Sequence, residues 1–178
     1  MRNTQLATGE RIRRLLRALG RVSRQPATVY LTGGATAVLL GWRESTIDVD
    51  LKLVPDSDEL LRAIHDLKEE LEINIELASP DLFIPVADDW QEASPWETTE
   101  GTLTVRHFDL RAQALAKIER GHERDVGDVE AMLARGLVSA RDLWLYLEAI
   151  EPDLYRFPAI DGPSLRKAVA QVLGSRPA

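Results

Sequence analysis

Asp48 and Asp50 stand in the run STIDVDLKLV, residues 45–54. Carboxylates are costly in an apolar strand unless something pairs with them. The run alternates, so successive side chains take opposite faces of a strand. Ile47, Val49, Leu51 and Leu53 fall on one face, and Thr46, Asp48, Asp50 and Lys52 on the other. The two aspartates are therefore neighbours on one surface. Like charges at that spacing repel. A hard divalent cation relieves the repulsion, because Mg²⁺ takes oxygen ligands and commonly binds through one or two carboxylates plus substrate phosphates.

A second alternating run, INIEL (73–77), puts Ile73, Ile75 and Leu77 on one face and Asn74 and Glu76 on the other. If the two strands are neighbours with their apolar faces aligned, Glu76 joins Asp48 and Asp50. Three carboxylates around one or two cations suit two-metal phosphoryl and nucleotidyl transfer. Gly33-Gly34 supplies a complementary piece. Two residues without Cβ let backbone approach a ligand, and the N-terminus of the helix they open offers free N–H groups to phosphate. Thr32 or Thr36 could add a hydroxyl.

The periodicity of the chain predicts the elements that must carry these groups. Residues 8–20 form an amphipathic helix with Ile12, Leu15, Leu16 and Leu19 on one face, Thr8 as its cap and Gly20 as its end. ATVYL (27–31) is a strand and ATAVLL (35–40) a short helix stopped by Gly41. The acidic strand 45–54 ends at Pro55. A helix over 56–72 has acids in its first turn, which suits the helix dipole. The strand 73–77 follows. Residues 78–100 read as loop, with Pro80, Pro85, Pro95, Trp90 and Trp96. GTLTVRHF (101–108) is a strand, in a hairpin with the segment around Trp96. Helices follow over 109–120, 123–135, 139–149 and about 164–173. The outline is an α+β fold: a small mixed β-sheet and a helical C-terminal half.

With 178 residues the chain suits one domain, or one domain with a helical extension. It has no cysteine, so neither disulfides nor thiolate metal sites arise. No apolar run approaches the ~18 residues of a membrane span, and the arginine-rich start lacks the apolar region of a signal peptide. These features predict a cytoplasmic protein without a membrane partner. Charge is uneven. Residues 1–25 carry seven arginines (Arg2, Arg11, Arg13, Arg14, Arg17, Arg21 and Arg24) against one acid, Glu10, so a net charge of −7 divides into +6 there and −13 on the rest. A basic element on an acidic body can mark a polyanion contact. It can also be a solvated face, or a patch docked on the protein's own acids.

The strand VYLTGG, the short helix ATAVLL and the strand TIDVDLKL together resemble the DNA polymerase β-like nucleotidyltransferase superfamily, most of all its AbiEii/MenT-type toxin nucleotidyltransferases. LAKIERGHERDVGDVEAML (115–133) is similar to the Lys…Arg-Asp-x-x-Asp region that ends the core in those proteins. The resemblance covers roughly residues 27–135. The outline of the chain is expected to divide into a nucleotidyltransferase core over 1–108, including the basic helix, and a helical part over 109–178 packed on it as one unit. The resemblance implies that Gly33 and Gly34 contact the nucleotide phosphates, where Thr32 is also a candidate by position, that Asp48 and Asp50 hold Mg²⁺, and that Lys117 binds the triphosphate of an NTP. Asp125 or Asp128 would orient basic groups or complete the site. The acceptor in several such toxins is the 3′ end of tRNA, and a cognate antitoxin is expected. Three departures stand out: the second glycine is often serine, the spacer from Gly34 to Asp48 holds thirteen residues and is longer than the short form of the motif, and the third acid is Glu76 where aspartate is commoner.

Several residues keep two readings. Glu76 is the third metal ligand or the base that takes the acceptor proton. Arg43 reaches a phosphate, or pairs with Glu44 or Asp56. Asp125 and Asp128 belong to the site or to a helical ion-pair set, since Arg124 and Asp128 are i,i+4 neighbours. Trp90 and Trp96 stack on a base or pin their loop. His65 reads as a surface residue. His107 and His122 have no metal partner by spacing and read as structural. A catalytically silent nucleotide-binding or protein-interaction module on the same fold is the alternative to an enzyme.

Overall fold

The computed structural model describes residues 4–178; Arg2 of the basic segment lies outside them. The chain divides into two compact units, one formed by the chain up to Ser79 together with Ser94–His107, the other by Pro80–Ala93 and Phe108–Ala178.

The first unit begins with β1 (Ala7–Thr8) and α1 (Gly9–Val22), followed by β2 (Ala27–Thr32), α2 (Gly33–Leu40), β3 (Ser45–Thr46) and β4 (Asp48–Val54). Then come α3 (Asp58–Glu70), β5 (Asn74–Leu77), β6 (Trp96–Glu100) and β7 (Leu103–His107). Five strands form a mixed sheet in the order β5-β4-β2-β7-β6. β2 runs antiparallel to β4 and parallel to β7, β4 parallel to β5, and β6 antiparallel to β7. The apolar sides of these strands, including Val29, Leu31, Val49, Leu51, Ile75 and Val105, share one core with Ile12, Leu15, Leu16 and Leu19 of α1 and with Leu60, Ile64 and Leu67 of α3. Each such side chain withdrawn from water contributes about 1.5–3 kcal/mol, so this face fixes the register. The α+β architecture read from the sequence is the one present.

Three local expectations are corrected. The strand 45–54 is not continuous. Ser45 and Thr46 pair with Thr8 and Ala7 in a separate two-stranded ladder, while β4 starts at Asp48. Thr46 is consequently buried and Ile47, expected on the apolar face, is 55 % exposed. Gly20 does not end α1, which continues to Val22. A Cβ at Gly20 would lie 2.6 Å from the Glu100 backbone oxygen, so this glycine permits close packing against β6. The helix after β2 starts at Gly33, two residues ahead of the expected position, so both glycines lie in its first turn.

The second unit is helical: α4 (Leu110–Arg120), α5 (Glu123–Ala134), α6 (Ala140–Ile150) and α7 (Gly162–Leu173). α4 packs against α5, α6 and α7. The segment 80–93 is pinned within this unit. Trp90 stacks on Phe108 with ring centroids 4.4 Å apart, and the Ala87 N–H donates to the Tyr146 hydroxyl at 3.0 Å. Trp90 thus takes the pinning role. Trp96 opens β6, is 60 % exposed, and donates its indole N–H to Thr99 at 3.2 Å. No helix among the described residues is long and apolar enough to cross a membrane.

Candidate active site

β4 exposes a half-buried row of Asp48, Asp50 and Lys52 on one side, while Val49, Leu51 and Leu53 enter the core on the other. The neighbouring strands extend this row. Asp50 stands opposite Thr32 on β2 and opposite Glu76 on β5, and Asp48 stands opposite Asn74. Residues paired across a sheet share a face, with Cβ atoms about 5 Å apart. The register therefore brings Thr32, Asp50 and Glu76 into one line, with Asp48 and Asn74 in the next. Asn74 links the acids: its amide donates to Asp48 Oδ1 at 2.7 Å and to Glu76 Oε1 at 3.0 Å.

The double-glycine turn closes on the same row. Gly33 has φ +60, the left-handed region that favours glycine, and a Cβ there would meet Asp50 Oδ2 at 3.0 Å. The Asp50 carboxylate therefore faces the turn directly. Gly34 is closer still to β3. A Cβ on it would come within 1.9 Å of Thr46 Oγ1 and 2.6 Å of Thr46 Cβ. The Thr46 hydroxyl donates to the Asp48 carbonyl at 3.0 Å, which fixes that side chain. This packing gives a physical reason for glycine where the resembled motif often has serine. Thr32, at the cap position of α2, is buried and makes no side-chain capping bond to that helix.

Two carboxylates on one sheet face, one of them against the glycine turn, are the kind of donors a hard cation takes alongside water and other oxygens. Among the described residues no three His, Cys, Asp or Glu side chains form a ready metal-holding group. Glu76 is in the row but exposed, with its carboxylate engaged by Asn74. Of the acids in this row, Asp48 and Asp50 are the two half-buried ones.

Thr36, Glu97 and His107 form a polar chain that the sequence reading did not assemble. His107 is fully buried. Its Nε2 lies 2.8 Å from Glu97 Oε2, and its Nδ1 lies 3.0 Å from Thr36 Oγ1. Burial draws the imidazole pKa below its ordinary value, against the opposing hydrogen bond and charge of Glu97. The neutral ring is assigned its proton on Nε2, where it donates to the carboxylate, so that the Thr36 hydroxyl donates to Nδ1. The Leu31 carbonyl, 3.3 Å from the same hydroxyl, competes with Nδ1 for its single proton. The signal was the alternation Leu103, Val105, His107, which puts an imidazole on a core-facing side where both nitrogens need partners.

In the helical unit, Lys117, Asp125 and Asp128 come together. The Lys117 ammonium lies 2.7 Å from Asp128 Oδ2 and 3.6 Å from Asp125 Oδ1, and all three side chains are under 10 % exposed. Arg120 closes the set with two bonds to Asp125, at 2.8 and 2.5 Å. Burial pushes the Asp125 carboxyl upward, but the Arg120 hydrogen bonds and the charges of Arg120, Lys117 and His122 outweigh it, and the net shift is downward. Two cations and two anions make a neutral ion-pair set that ties α4 to α5. These acids accept from α4 at the positions given, rather than through the i,i+4 spacing within α5.

Arg43 is half-buried in the turn between α2 and β3, its N–H donating to the Ala37 carbonyl at 3.2 Å. His65 and His122 are exposed. Arg13, Arg14, Arg17, Arg21 and Arg24 are exposed on or just after α1, whose apolar side covers the sheet face opposite Asp48 and Asp50. Arg24 pairs with Glu59 at 3.3 Å, and Arg21 shares a groove of about 730 Å³ with Asp58, Glu59 and Asp66 of α3. The basic stripe is therefore partly balanced by the protein's own acids. Arg11 is occupied locally, bonding the Leu71 carbonyl at 3.2 Å and the Gln5 side chain.

Comparison with family models, curated proteins and solved structures gives no match for this chain.

Proposed function

We propose that the protein is a Mg²⁺-dependent nucleotidyltransferase that moves a nucleotide from an NTP to an acceptor hydroxyl. The observation that carries this reading is the Asp50 carboxylate facing Gly33, with Asp48 beside it on the same sheet face. Mg²⁺ bound there would supply positive charge to the phosphates and acidify the attacking hydroxyl. Asp48 and Asp50 would hold the cation. The backbone N–H groups at Gly33 and Gly34 would receive phosphate oxygens, with Thr32 beside them. Glu76 sits in register with Asp50 and would accept the acceptor's proton. The acceptor oxygen bonds to the α-phosphorus, the bond from that phosphorus to the β-phosphate bridging oxygen breaks, and pyrophosphate leaves. No step is assigned to Lys117, whose ammonium already pairs with Asp128. The tRNA acceptor, the toxin role and the antitoxin partner rest on the resemblance of the motifs alone.

A silent module on the same fold is favoured by one feature: the Asn74 amide lies between Asp48 and Glu76, and the three acids do not form a ready cage. One experiment separates the two readings. The protein is incubated with Mg²⁺, total tRNA or cell lysate, and each NTP labelled at either the α- or the γ-phosphate. Nucleotidyl transfer leaves α-label, and no γ-label, on an acceptor, and Asp48→Ala and Asp50→Ala abolish it. Absence of label with all four NTPs supports the silent module, and label that survives both substitutions refutes the mechanism.

A further inference from the structure

We infer that Glu97, His107 and Thr36 form a buried clamp that sets the geometry of the Gly33-Gly34 turn, making His107 and Thr36 positioning residues for the nucleotide phosphates. The second half of that statement rests on the nucleotidyltransferase reading; the clamp itself does not. Gly33 and Gly34 are the residues least able to fix their own backbone. The helix they open lacks a side-chain cap from Thr32. Close packing of Gly34 against Thr46 restrains the turn from the β3 side, and a second hold from the β2 and β7 side spares its N–H groups the ordering on binding that lowers affinity. The hydrogen-bonded chain is placed to do this. It starts at Glu97 on β6, crosses His107 at the end of β7, and reaches Thr36 in the first turn of α2. The Thr36 hydroxyl also lies 3.3 Å from the Leu31 carbonyl, one residue before Thr32 at the end of β2, and its single proton is shared between that carbonyl and His107 Nδ1. Strand end and helix start are thereby held from both sides of the glycines. His107 and Thr36 are 0 % and 1 % exposed, so neither touches substrate, and both act through the backbone between them.

Thr36→Val keeps the side-chain shape and removes the hydroxyl, Thr36→Ser keeps the hydroxyl, and His107→Phe keeps a ring and removes both bonds. Two affinities are measured: that of fluorophore-tagged NTPs in the presence of Mg²⁺, and that of Mn²⁺ alone by electron paramagnetic resonance. The loss of one buried hydrogen bond sets the scale. Thr36→Val and His107→Phe should bind nucleotide about fivefold more weakly, with Mn²⁺ affinity unchanged, while Thr36→Ser stays within about twofold of the wild type. Unchanged nucleotide affinity in folded Thr36→Val overturns the positioning role, as does an equal loss of Mn²⁺ affinity, which indicates general damage. Amide hydrogen exchange tests the clamp even if the wild type binds no nucleotide, an outcome that counts against the nucleotidyltransferase reading alone. Thr36→Val should speed exchange at Gly33 and Gly34 about fivefold while leaving α3 unchanged. Equal rates in wild type and variant at the two glycines refute the clamp.

Discussion

Gly34→Ala is the sharpest test of how the glycine turn is packed. The added methyl would sit 1.9 Å from Thr46 Oγ1 and 2.6 Å from Thr46 Cβ. Both distances are far inside van der Waals contact, and Thr46 is buried and tied to the Asp48 carbonyl. A rotamer change alone cannot relieve the contact, because the Cβ itself is too close. Overpacking of this kind costs about 1–3 kcal/mol, and displacing the Thr46 hydroxyl from Asp48 adds about 1 kcal/mol. The expected destabilisation is about 2–4 kcal/mol. Thr46→Gly removes the obstructing atoms and leaves room for the new methyl. In urea denaturation followed by circular dichroism, Gly34→Ala/Thr46→Gly should be more stable than the sum of its single substitutions predicts, by about 1–3 kcal/mol. Additive single effects, or a Gly34→Ala cost below about 0.5 kcal/mol, would refute the argument that glycine is required by Thr46.

Two further predictions concern buried charge. Lys117→Met leaves Asp128 buried without its ammonium and should destabilise the protein by about 3–5 kcal/mol, whereas Lys117→Met/Asp128→Leu should recover most of that loss; denaturation curves of the three proteins check it. His107 contributes a pH dependence of definite sign. Its folded pKa lies below the ordinary 6.5, so below that pH the unfolded chain takes up a proton that the folded chain refuses. Stability should therefore fall as pH drops from about 7 to about 5, and His107→Gln should flatten that slope in melting temperatures measured across the range.

The acid face of β4 was legible because one apolar core fixes alternate residues from Val49 to Leu53, and Asp48 and Asp50 follow by parity. The alternation of residues 73–77 likewise put Glu76 on the face where the register with Asp50 places it. The break at Ile47 was not legible. It arises because Ala7 and Thr8, about forty residues earlier in the chain, claim Ser45 and Thr46, and no local pattern records a distant partner. Gly20 misled because glycine serves equally as a helix stop and as a site of close packing. Spacing within α5 offered Arg124 as the neighbour of Asp128, but the contact that forms crosses from Lys117 on α4. The Asn74 bridge and the His107 chain escaped for a related reason. Both depend on which strands lie side by side, and a single strand's periodicity gives a face without its neighbours.

Cation binding at Asp48 and Asp50 is the central claim, and Mn²⁺ titration by electron paramagnetic resonance, with an NTP present, tests it most directly. The account predicts that the wild type binds Mn²⁺ and that Asp48→Asn and Asp50→Asn, each folded as judged by circular dichroism, lose that binding. Equal Mn²⁺ binding by the wild type and both variants would contradict it.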